Sequence, residues 1–326
     1  IPGTGPCSPE ETARLLFPLL LPRYKKEFET AFDTDFAHEI PGVARFRCNV
    51  FADRKGVGAV IRVIPSRIPT AEDLDLPKQV LDLCFLPKGL VLVTGPTGSG
   101  KSTTLAALID HVNRNRSDHI ITIEDPIEFV HTNHKCLVNQ REVGTHTRSF
   151  KAALRAALRE DPDIVLVGEM RDLETIAIAI ETAETGHLVF GTLHTSTAPS
   201  TVDRIIDQFP ADRQAQIRVM LSESLKGVVS QVLLRRKTGG RVAAMEILVG
   251  APAVSNLIRE GKTFQIPSIM QAGRKYGMVL MVDALLDLVR RGIVSPDEAF
   301  AKAVDKTSLS GMLKAAGVDL PAGALS

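Results

Sequence analysis

A glycine-rich stretch between an apolar run and a run of helix formers constrains this chain more than any other feature. Residues 90–94 read Leu-Val-Leu-Val-Thr, residues 95–102 read Gly-Pro-Thr-Gly-Ser-Gly-Lys-Ser, and residues 103–108 read Thr-Thr-Leu-Ala-Ala-Leu. The middle segment matches a phosphate-binding pattern that requires a strand before it and a helix after it. The stretch therefore predicts a strand, a phosphate-binding loop and a helix, in that order.

The chemistry expected of this loop follows from its residue types. Glycines let the backbone wrap a phosphate chain, and the start of a helix adds unpaired N–H groups and a partial positive charge. Lys101 is expected to reach the β- and γ-phosphates, and Ser102 to hold Mg²⁺. The alternative is a glycine-rich turn without a ligand, which the complete pattern and both flanks disfavour. The residues predicted to bind the nucleotide are Gly95, Pro96, Thr97, Gly98, Ser99, Gly100, Lys101, Ser102 and Thr103.

Composition excludes several classes of protein. The 326 residues are 44% hydrophobic, so a sizeable core can be buried. A formal net charge of +1 argues against a generic nucleic-acid binder, which usually carries a basic footprint. The four cysteines are scattered without metal-ligand spacing, which favours reduced thiols in the cytoplasm. No apolar run is long enough to span a bilayer and no signal peptide is present, which also predicts a cytoplasmic protein.

Residues 1–65 predict a small α+β domain. Helices are expected near 8–17 and 25–32, and residues 44–52 alternate as a strand before the turn Asp53-Arg-Lys-Gly56 and a return strand. Residues 66–77 are polar and proline-punctuated, and are interpreted as a linker. The chain opens in Ile-Pro-Gly-Thr-Gly-Pro without Met, so we expect this domain to be truncated at its start.

Residues 78–326 predict an α/β domain, because strand and helix patterns alternate along the chain. Such alternation implies a parallel sheet with helices on both faces. A hairpin around residues 235–240 follows, and the remainder is expected to be a C-terminal helical region. The predicted strands are 90–94, 120–123, 164–167 and 188–193, and the predicted helices that alternate with them are 102–113, 149–158 and 173–184.

Two acids are expected to act beside the phosphate loop, because ligands of parallel sheets sit beyond the carboxyl ends of the strands. Glu169 follows the strand 164–167 and is predicted to act on Mg²⁺ through water. Glu124 follows the strand 120–123 and is then free to orient or deprotonate the attacking water. The alternative is that these acids cap the next helix or lie in a solvated turn.

A histidine at the end of the fourth strand is a third candidate. His194 could contact the γ-phosphate or the attacking water, although a histidine beside an apolar strand is often a structural residue. His187 precedes the same strand, and two histidines bracketing one strand favour a sensing role for His194.

Several segments occur together and carry a resemblance. They are the phosphate loop, Ile123-Glu-Asp-Pro-Ile-Glu128, Val167-Gly-Glu-Met-Arg-Asp-Leu-Glu-Thr175, and Thr185-Gly-His187 with Gly191-Thr-Leu-His-Thr195. This set resembles the secretion ATPases of the type II/type IV pilus superfamily. Within it, the chain is most similar to the PilT family of twitching-motility retraction motors, in Phe129-Val-His131, residues 136–142, Asp203-Arg-Ile205 and Asn256-Leu-Ile-Arg-Glu260. The resemblance covers about Asp33 to Gly292.

The resemblance implies a RecA-like motor domain, a PAS-like N-terminal domain and a hexameric ring that hydrolyses ATP with Mg²⁺ to power pilus retraction. It also implies a place at the inner face of the bacterial inner membrane, a pilus platform protein as partner and a related accessory ATPase. Pilus-extension and type II secretion relatives usually carry a four-cysteine zinc module. No cysteine follows Cys136, which favours the retraction branch.

Three other functions stay open from the sequence. One is an accessory pilus or type II secretion ATPase, and one is a non-hydrolysing scaffold, which the presence of Lys101, Glu124 and Glu169 together disfavours. The third is a RecA-like nucleic-acid translocase, which should carry basic, aromatic-rich loops. Aromatic residues make up 5% with no Trp, so no nucleic-acid partner is expected.

Two arginines of the small domain form the last candidate site. If the hairpin turn pairs Asp53 with Gly56, Arg47 lies directly opposite Arg62, and like charges so placed are destabilising. An external anion would relieve the repulsion, which suggests that these arginines reach the γ-phosphate held by a neighbouring subunit. The family resemblance implies the same role, since the N-terminal domain of the family completes the nucleotide site. The alternative is two solvated arginines on an exposed face.

Overall fold

The computed structural model describes residues 5–318, and these residues form two compact units. One unit holds the described residues through Ile68 together with Glu124–Val130, and the other holds Pro69–Ile123 and the residues from His131 onward. The domain limits expected from the sequence, 1–65, 66–77 and 78–326, stay a prediction. Within residues 5–318, none of the helices combines the length and the apolar character needed to cross a bilayer.

The described strands number ten. They are β1 Asp33–Ile40, β2 Ala44–Asp53, β3 Gly56–Ile64, β4 Gly89–Thr94, β5 His119–Glu124, β6 Leu137–Glu142, β7 Ile164–Val167, β8 Leu188–Leu193, β9 Leu225–Arg235 and β10 Arg241–Val249.

The described α-helices number thirteen. They are α1 Pro9–Leu16, α2 Pro22–Ala31, α3 Lys78–Asp82, α4 Lys101–Asn115, α5 Phe150–Ala157, α6 Leu173–Glu184, α7 Ala198–Asp207, α8 Ala211–Ser224, α9 Pro252–Arg259, α10 Ile266–Ala272, α11 Met281–Arg290, α12 Pro296–Lys302 and α13 Lys306–Ala315.

The small unit is an antiparallel sheet, β1-β2-β3, with two helices. Its core includes Phe36 of β1 and Cys48 of β2, and the ring of Tyr24 from α2 stacks on Phe36 with centroids 4.5 Å apart. Asp53 pairs with Gly56 and Arg47 with Arg62, which confirms the predicted hairpin register. The sequence reading did not include β1, because most residues of this strand are polar.

The large unit is built on a seven-stranded sheet in the order β10-β9-β4-β8-β7-β5-β6. Strands β5, β7, β8, β4 and β9 run parallel to one another, and β10 turns back antiparallel to β9. Parallel strands covered on both faces are apolar throughout, and every residue of β4, β7 and β8 is buried.

Helices cover both faces of this sheet, as the alternation of patterns predicts. Leu92 of β4 packs in one apolar cluster with Leu154 of α5 and Ile180 of α6. Its neighbours Val91 and Val93 point to the opposite face, into a cluster with residues of α4. The C-terminal helices α11, α12 and α13 form a third cluster with Val232 and Leu234 of β9.

Candidate nucleotide-binding site

The loop between β4 and α4 adopts backbone conformations that its glycines make possible. Gly95, Gly98 and Gly100 have φ values of +143°, +78° and +89°. These lie in the region that residues with a Cβ rarely adopt. A Cβ on Gly95 would also lie 2.3 Å from the carbonyl oxygen of Gln231, so only glycine is compatible with this close approach of β9.

The polar groups of the loop fit a phosphate chain. Among the described residues, the buried Ser99 Oγ has no hydrogen-bond partner, and no side chain caps the N-terminus of α4. Lys101 Nζ donates to the carbonyls of Gly95 and Pro96 at 2.8 and 3.2 Å, so its ammonium lies at the loop. Pro96, Thr97, Gly98 and Ser102 are exposed, and Thr103 is half-buried in the first turn of α4. An unpaired buried hydroxyl, a lysine and a free helix start are the groups that phosphate oxygens require.

The sheet brings Glu169 and His194 together beyond the ends of β7 and β8. Oε1 of Glu169 lies 2.8 Å from Nε2 of His194 and 2.5 Å from Nε of Arg171. Burial acts to raise the pKa of Glu169, but hydrogen bonds and charges from Arg171 and His194 outweigh it and hold the pKa below its usual range. Glu169 is therefore a carboxylate at neutral pH, as an acid that acts on a metal requires.

Neither of the two acids follows a strand that lies directly beside the loop strand β4. The neighbours of β4 are β8 and β9, so β7 is one strand further away and β5 is beyond β7. The strand between the loop and Glu169 is thus the one that carries His194. Alternation along the chain cannot reveal this order, because a crossover helix can pass over a strand.

The contacts of His194 also differ from those that the sequence suggests. Its ring nitrogen is bonded to the Glu169 carboxylate, so His194 holds the predicted magnesium ligand in place. Contact of His194 with a γ-phosphate or a water stays a prediction. His187 Nδ1 lies 3.2 Å from the carbonyl of Thr182, which is a structural contact at the opposite end of β8.

Glu124 is the last residue of β5, which pairs with β7 along Ile120–Ile123. It begins the segment Glu124–Val130, which belongs to the small unit. In this segment, Glu128 forms an ion pair with Arg47, so Glu128 has a structural role. The role of Glu124 toward the attacking water stays a prediction.

Arg47 and Arg62 lie opposite each other on β2 and β3. They differ in their ion pairs within residues 5–318, because the guanidinium of Arg47 is paired with carboxylates of the same unit and that of Arg62 is not. Arg47 donates to Asp35 at 2.7 Å and to Glu128 at 3.0 Å, and the hydrogen bond with Asp35 raises the pKa of Arg47. Repulsion between the two arginines is thus relieved inside the unit, without the external anion that the sequence argument invoked. Arg62 is exposed and, among the described residues, has no ion pair.

Sequence reasoning missed the residues that support the loop from β9. Gln231 contacts the loop and α4, and Ser230 Oγ lies 2.8 Å from Thr94 Oγ1. The available signal was two polar residues in the middle of the apolar run 228–234. Buried polar groups need partners, so these two residues indicate a contact on an adjacent strand or loop.

A sheet in this order, with a glycine loop of this geometry after β4 and a paired carboxylate after β7, defines the class of protein. The large unit is a P-loop ATPase.

Comparison with known proteins narrows this class. Residues 33–239 match the family described as "Type II/IV secretion system protein". The chain is 54% identical over 298 residues to the type IV pilus retraction ATPase PilT of Pseudomonas aeruginosa, covering 91% of this chain and 87% of the relative. It is 52% identical over 304 residues to a twitching motility protein of Neisseria gonorrhoeae, covering 93% and 81%. The chain belongs to the type II/IV secretion system protein family.

A solved structure supports the same assignment. The crystal structure of the pilus retraction motor PilT with bound ADP is 49% identical, with a TM-score of 0.86, and the match covers 93% of this chain and 87% of that one. The predicted α/β, RecA-like fold is thereby confirmed.

Proposed function

We propose that this protein hydrolyses ATP to power the retraction of type IV pili. The proposal is carried by one observation: a complete phosphate loop, with Lys101 and Ser102 at the start of α4, in a chain more than half identical to a retraction ATPase. Glu169 follows β7 and is bonded to His194 at the end of β8. A carboxylate at this position favours ATP hydrolysis over nucleotide binding without hydrolysis.

The residues divide the work of hydrolysis. The loop N–H groups and Lys101 bind the phosphates, and Ser102 and Glu169 hold Mg²⁺, which neutralises phosphate charge when it is bound. Glu124 orients a water whose oxygen forms a bond to the γ-phosphorus while the bond to the bridging oxygen breaks. The proton of that water passes to the carboxylate of Glu124.

We propose that the active form is a homohexamer in which the small unit of one subunit completes the site of its neighbour. The exposed Arg62 would act on the γ-phosphate, while Arg47, held by Asp35 and Glu128, keeps the strand and its register. The ring would act in the cytoplasm at the inner face of the inner membrane, on a pilus platform protein and beside an accessory ATPase.

Mixed rings test the role of the arginines in trans. A ring that combines Arg47→Ala/Arg62→Ala subunits with Lys101→Ala subunits contains some interfaces with both parts intact, and these should restore part of the ATPase activity that neither variant shows alone. Arg62→Ala alone should lose more activity than Arg47→Ala alone, provided that both variants assemble. A mixture as inactive as its components, although mixed rings form, contradicts a role in trans.

The proposed function is tested by activity and by complementation. The purified chain should hydrolyse ATP at a rate that single-stranded DNA does not change, and it should restore twitching in a bacterium that lacks its retraction ATPase. Lys101→Ala is the matched control for both assays. Stimulation by DNA would support the nucleic-acid translocase instead, and ATPase activity without restored twitching would support an accessory or secretion ATPase.

A further inference from the structure

A buried glutamine on β9 connects the phosphate loop to the helix that follows it. Gln231 Nε2 donates to the carbonyl of Ser99 at 2.6 Å, and Gln231 Oε1 accepts from the hydroxyl of Thr104 at 2.9 Å. A carbonyl can only accept, so the contact with Ser99 assigns the orientation of the amide group. Gln231 is 1% exposed and Thr104 is 3% exposed, so neither bond is exchanged with water.

The bond to Ser99 fixes a peptide group of the loop. The peptide between Ser99 and Gly100 is planar and trans, so its C=O and its N–H point in opposite directions. Holding the carbonyl on the β9 side directs the N–H of Gly100 away from β9. Gly100 is the residue before α4, where N–H groups turn toward a bound anion.

β9 approaches the loop at both ends. A Cβ on Gly95 would meet the backbone oxygen of Gln231, and a Cβ on Gly100 would lie 3.2 Å from its Nε2. Both ends of the loop, at Gly95 and at Gly100, therefore lie against the same residue, Gln231. Lys101 also contacts the beginning of the loop, where its ammonium donates to the carbonyls of Gly95 and Pro96.

We propose that Gln231 is a positioning residue that holds the phosphate loop in its nucleotide-binding conformation. It does not touch the phosphates, and it acts through the Ser99–Gly100 peptide and the first turn of α4. Its removal therefore weakens the binding of both ADP and ATP, since both use the same loop N–H groups. The inference rests on nucleotide binding by this loop.

Ser230 provides a matched control on the same strand. Its side chain is also buried and also makes a neutral hydrogen bond, to Thr94 at 2.8 Å, but this bond joins β9 to β4 and not to the loop. Loss of either bond lowers the stability of the sheet. Only loss of the Gln231 bonds should change the affinity for nucleotide.

The experiment is equilibrium binding of ADP by calorimetry to the parent, Gln231→Met and Ser230→Ala, with the melting temperature of each measured without nucleotide. We expect Gln231→Met to bind ADP about tenfold more weakly, because a buried carbonyl loses its donor. Ser230→Ala should bind within about twofold of the parent although its melting temperature also falls. Equal affinities for the two variants, measured on folded protein, would overturn the proposal.

Thr104 gives a second route in case Gln231→Met does not fold. Thr104→Val keeps the shape of the side chain and removes the donor to Gln231, whereas Thr104→Ser keeps the hydroxyl. Thr104→Val should weaken ADP binding about threefold to tenfold, and Thr104→Ser should restore it. Amide hydrogen exchange in residues 98–101 should be faster in Thr104→Val than in Thr104→Ser. Parental affinity and exchange in Thr104→Val would contradict the proposal, and a parent that does not bind ADP would contradict the proposed function instead.

Discussion

The two flanks of the loop strand β4 support the same site by different kinds of contact. On the β9 side, Gln231 and Ser230 make neutral hydrogen bonds that are almost completely buried. On the β8 side, Glu169 is held by His194 and Arg171, whose side chains are 48% and 74% exposed. One flank is fixed and uncharged, and the other is charged and reaches solvent.

The two flanks should therefore have different roles: the β9 flank fixes the geometry of the loop, and the β8 flank responds to changes in charge. Neutral buried hydrogen bonds are not screened by salt and do not titrate, so the contacts of the β9 flank should not change with pH or ionic strength. Charged groups near solvent respond to pH, ionic strength and the charge of a bound phosphate. Hydrolysis changes phosphate charge, and the β8 flank is the side of the site able to respond to it.

The largest expected effect comes from the residue that neither flank can replace. Lys101→Ala should lower ATP hydrolysis by roughly a thousandfold or more, because a positioned cation on transferring phosphates is lost. Lys101 is only half-buried and lies at the loop, outside the apolar core, so the free energy of unfolding should change little. Steady-state hydrolysis and urea unfolding measure the two quantities. A folded Lys101→Ala protein with the parental rate would show that the loop is not the active site.

Substitutions of the two acids, Glu124 and Glu169, should have smaller effects that differ in their dependence on Mg²⁺. Glu124→Gln should bind Mg·ATP like the parent but turn over roughly a hundredfold or more slowly, because the base for the attacking water is lost. Glu169→Gln should also raise the concentration of Mg²⁺ needed for half-maximal activity. The measurement is a Mg²⁺ titration of hydrolysis for both variants. The same Mg²⁺ dependence in both would contradict the assignment of the metal to the charged flank.

Local patterns in the sequence predicted what lies within one element or one turn. The loop from Gly95 to Ser102 and the acid after β7 follow from strand-and-helix spacing, and the pairing of Arg47 with Arg62 follows from a two-residue turn. The contacts between distant residues could not be predicted in this way. Gln231 and Ser99 are 132 residues apart.

The arginine pair shows the same limit. Its register was predictable, but its charge balance depends on Asp35 of a mostly polar strand and on Glu128 from a distant segment. The pairing itself was correct, but the unbalanced repulsion assumed for Arg47 is absent, and its role toward a neighbour's γ-phosphate stays a prediction. Tertiary contacts decide the state of a charged group, and a periodic pattern does not contain them.

A pH titration should sharpen the comparison between the flanks. The folded-state pKa of Glu169 is below its ordinary value of 4.5. The stability from its ionised form is therefore fully present above about pH 4.5 and is lost as the pH falls through the lower folded-state pKa. Gln mimics the protonated acid, so the difference in unfolding free energy between the parent and Glu169→Gln should be at most about 1 kcal/mol at pH 7. It should decrease as the pH falls through the folded-state pKa of Glu169.

The control for this titration is the uncharged flank. The difference between the parent and Gln231→Met should stay constant over the same pH range, because an amide does not titrate there. Urea unfolding from pH 7 to pH 3.5 measures both differences. A pH-dependent difference for Gln231→Met, or a constant one for Glu169→Gln, would contradict the division into a neutral and a charged flank.

The smallest expected effect is that of Arg171→Ala. The Arg171 side chain is 74% exposed, and its partner Glu169 also has His194. An exposed ion pair contributes at most about 1 kcal/mol and often less, so the free energy of unfolding should fall by no more than this at low salt. The difference should vanish in 0.5 M NaCl, where the screening length is roughly 4 Å. A loss larger than about 1 kcal/mol that persists in high salt would mean that Arg171 is buried against Glu169 in solution. The β8 flank would then be fixed in the same way as the β9 flank, and the contrast between them would fail.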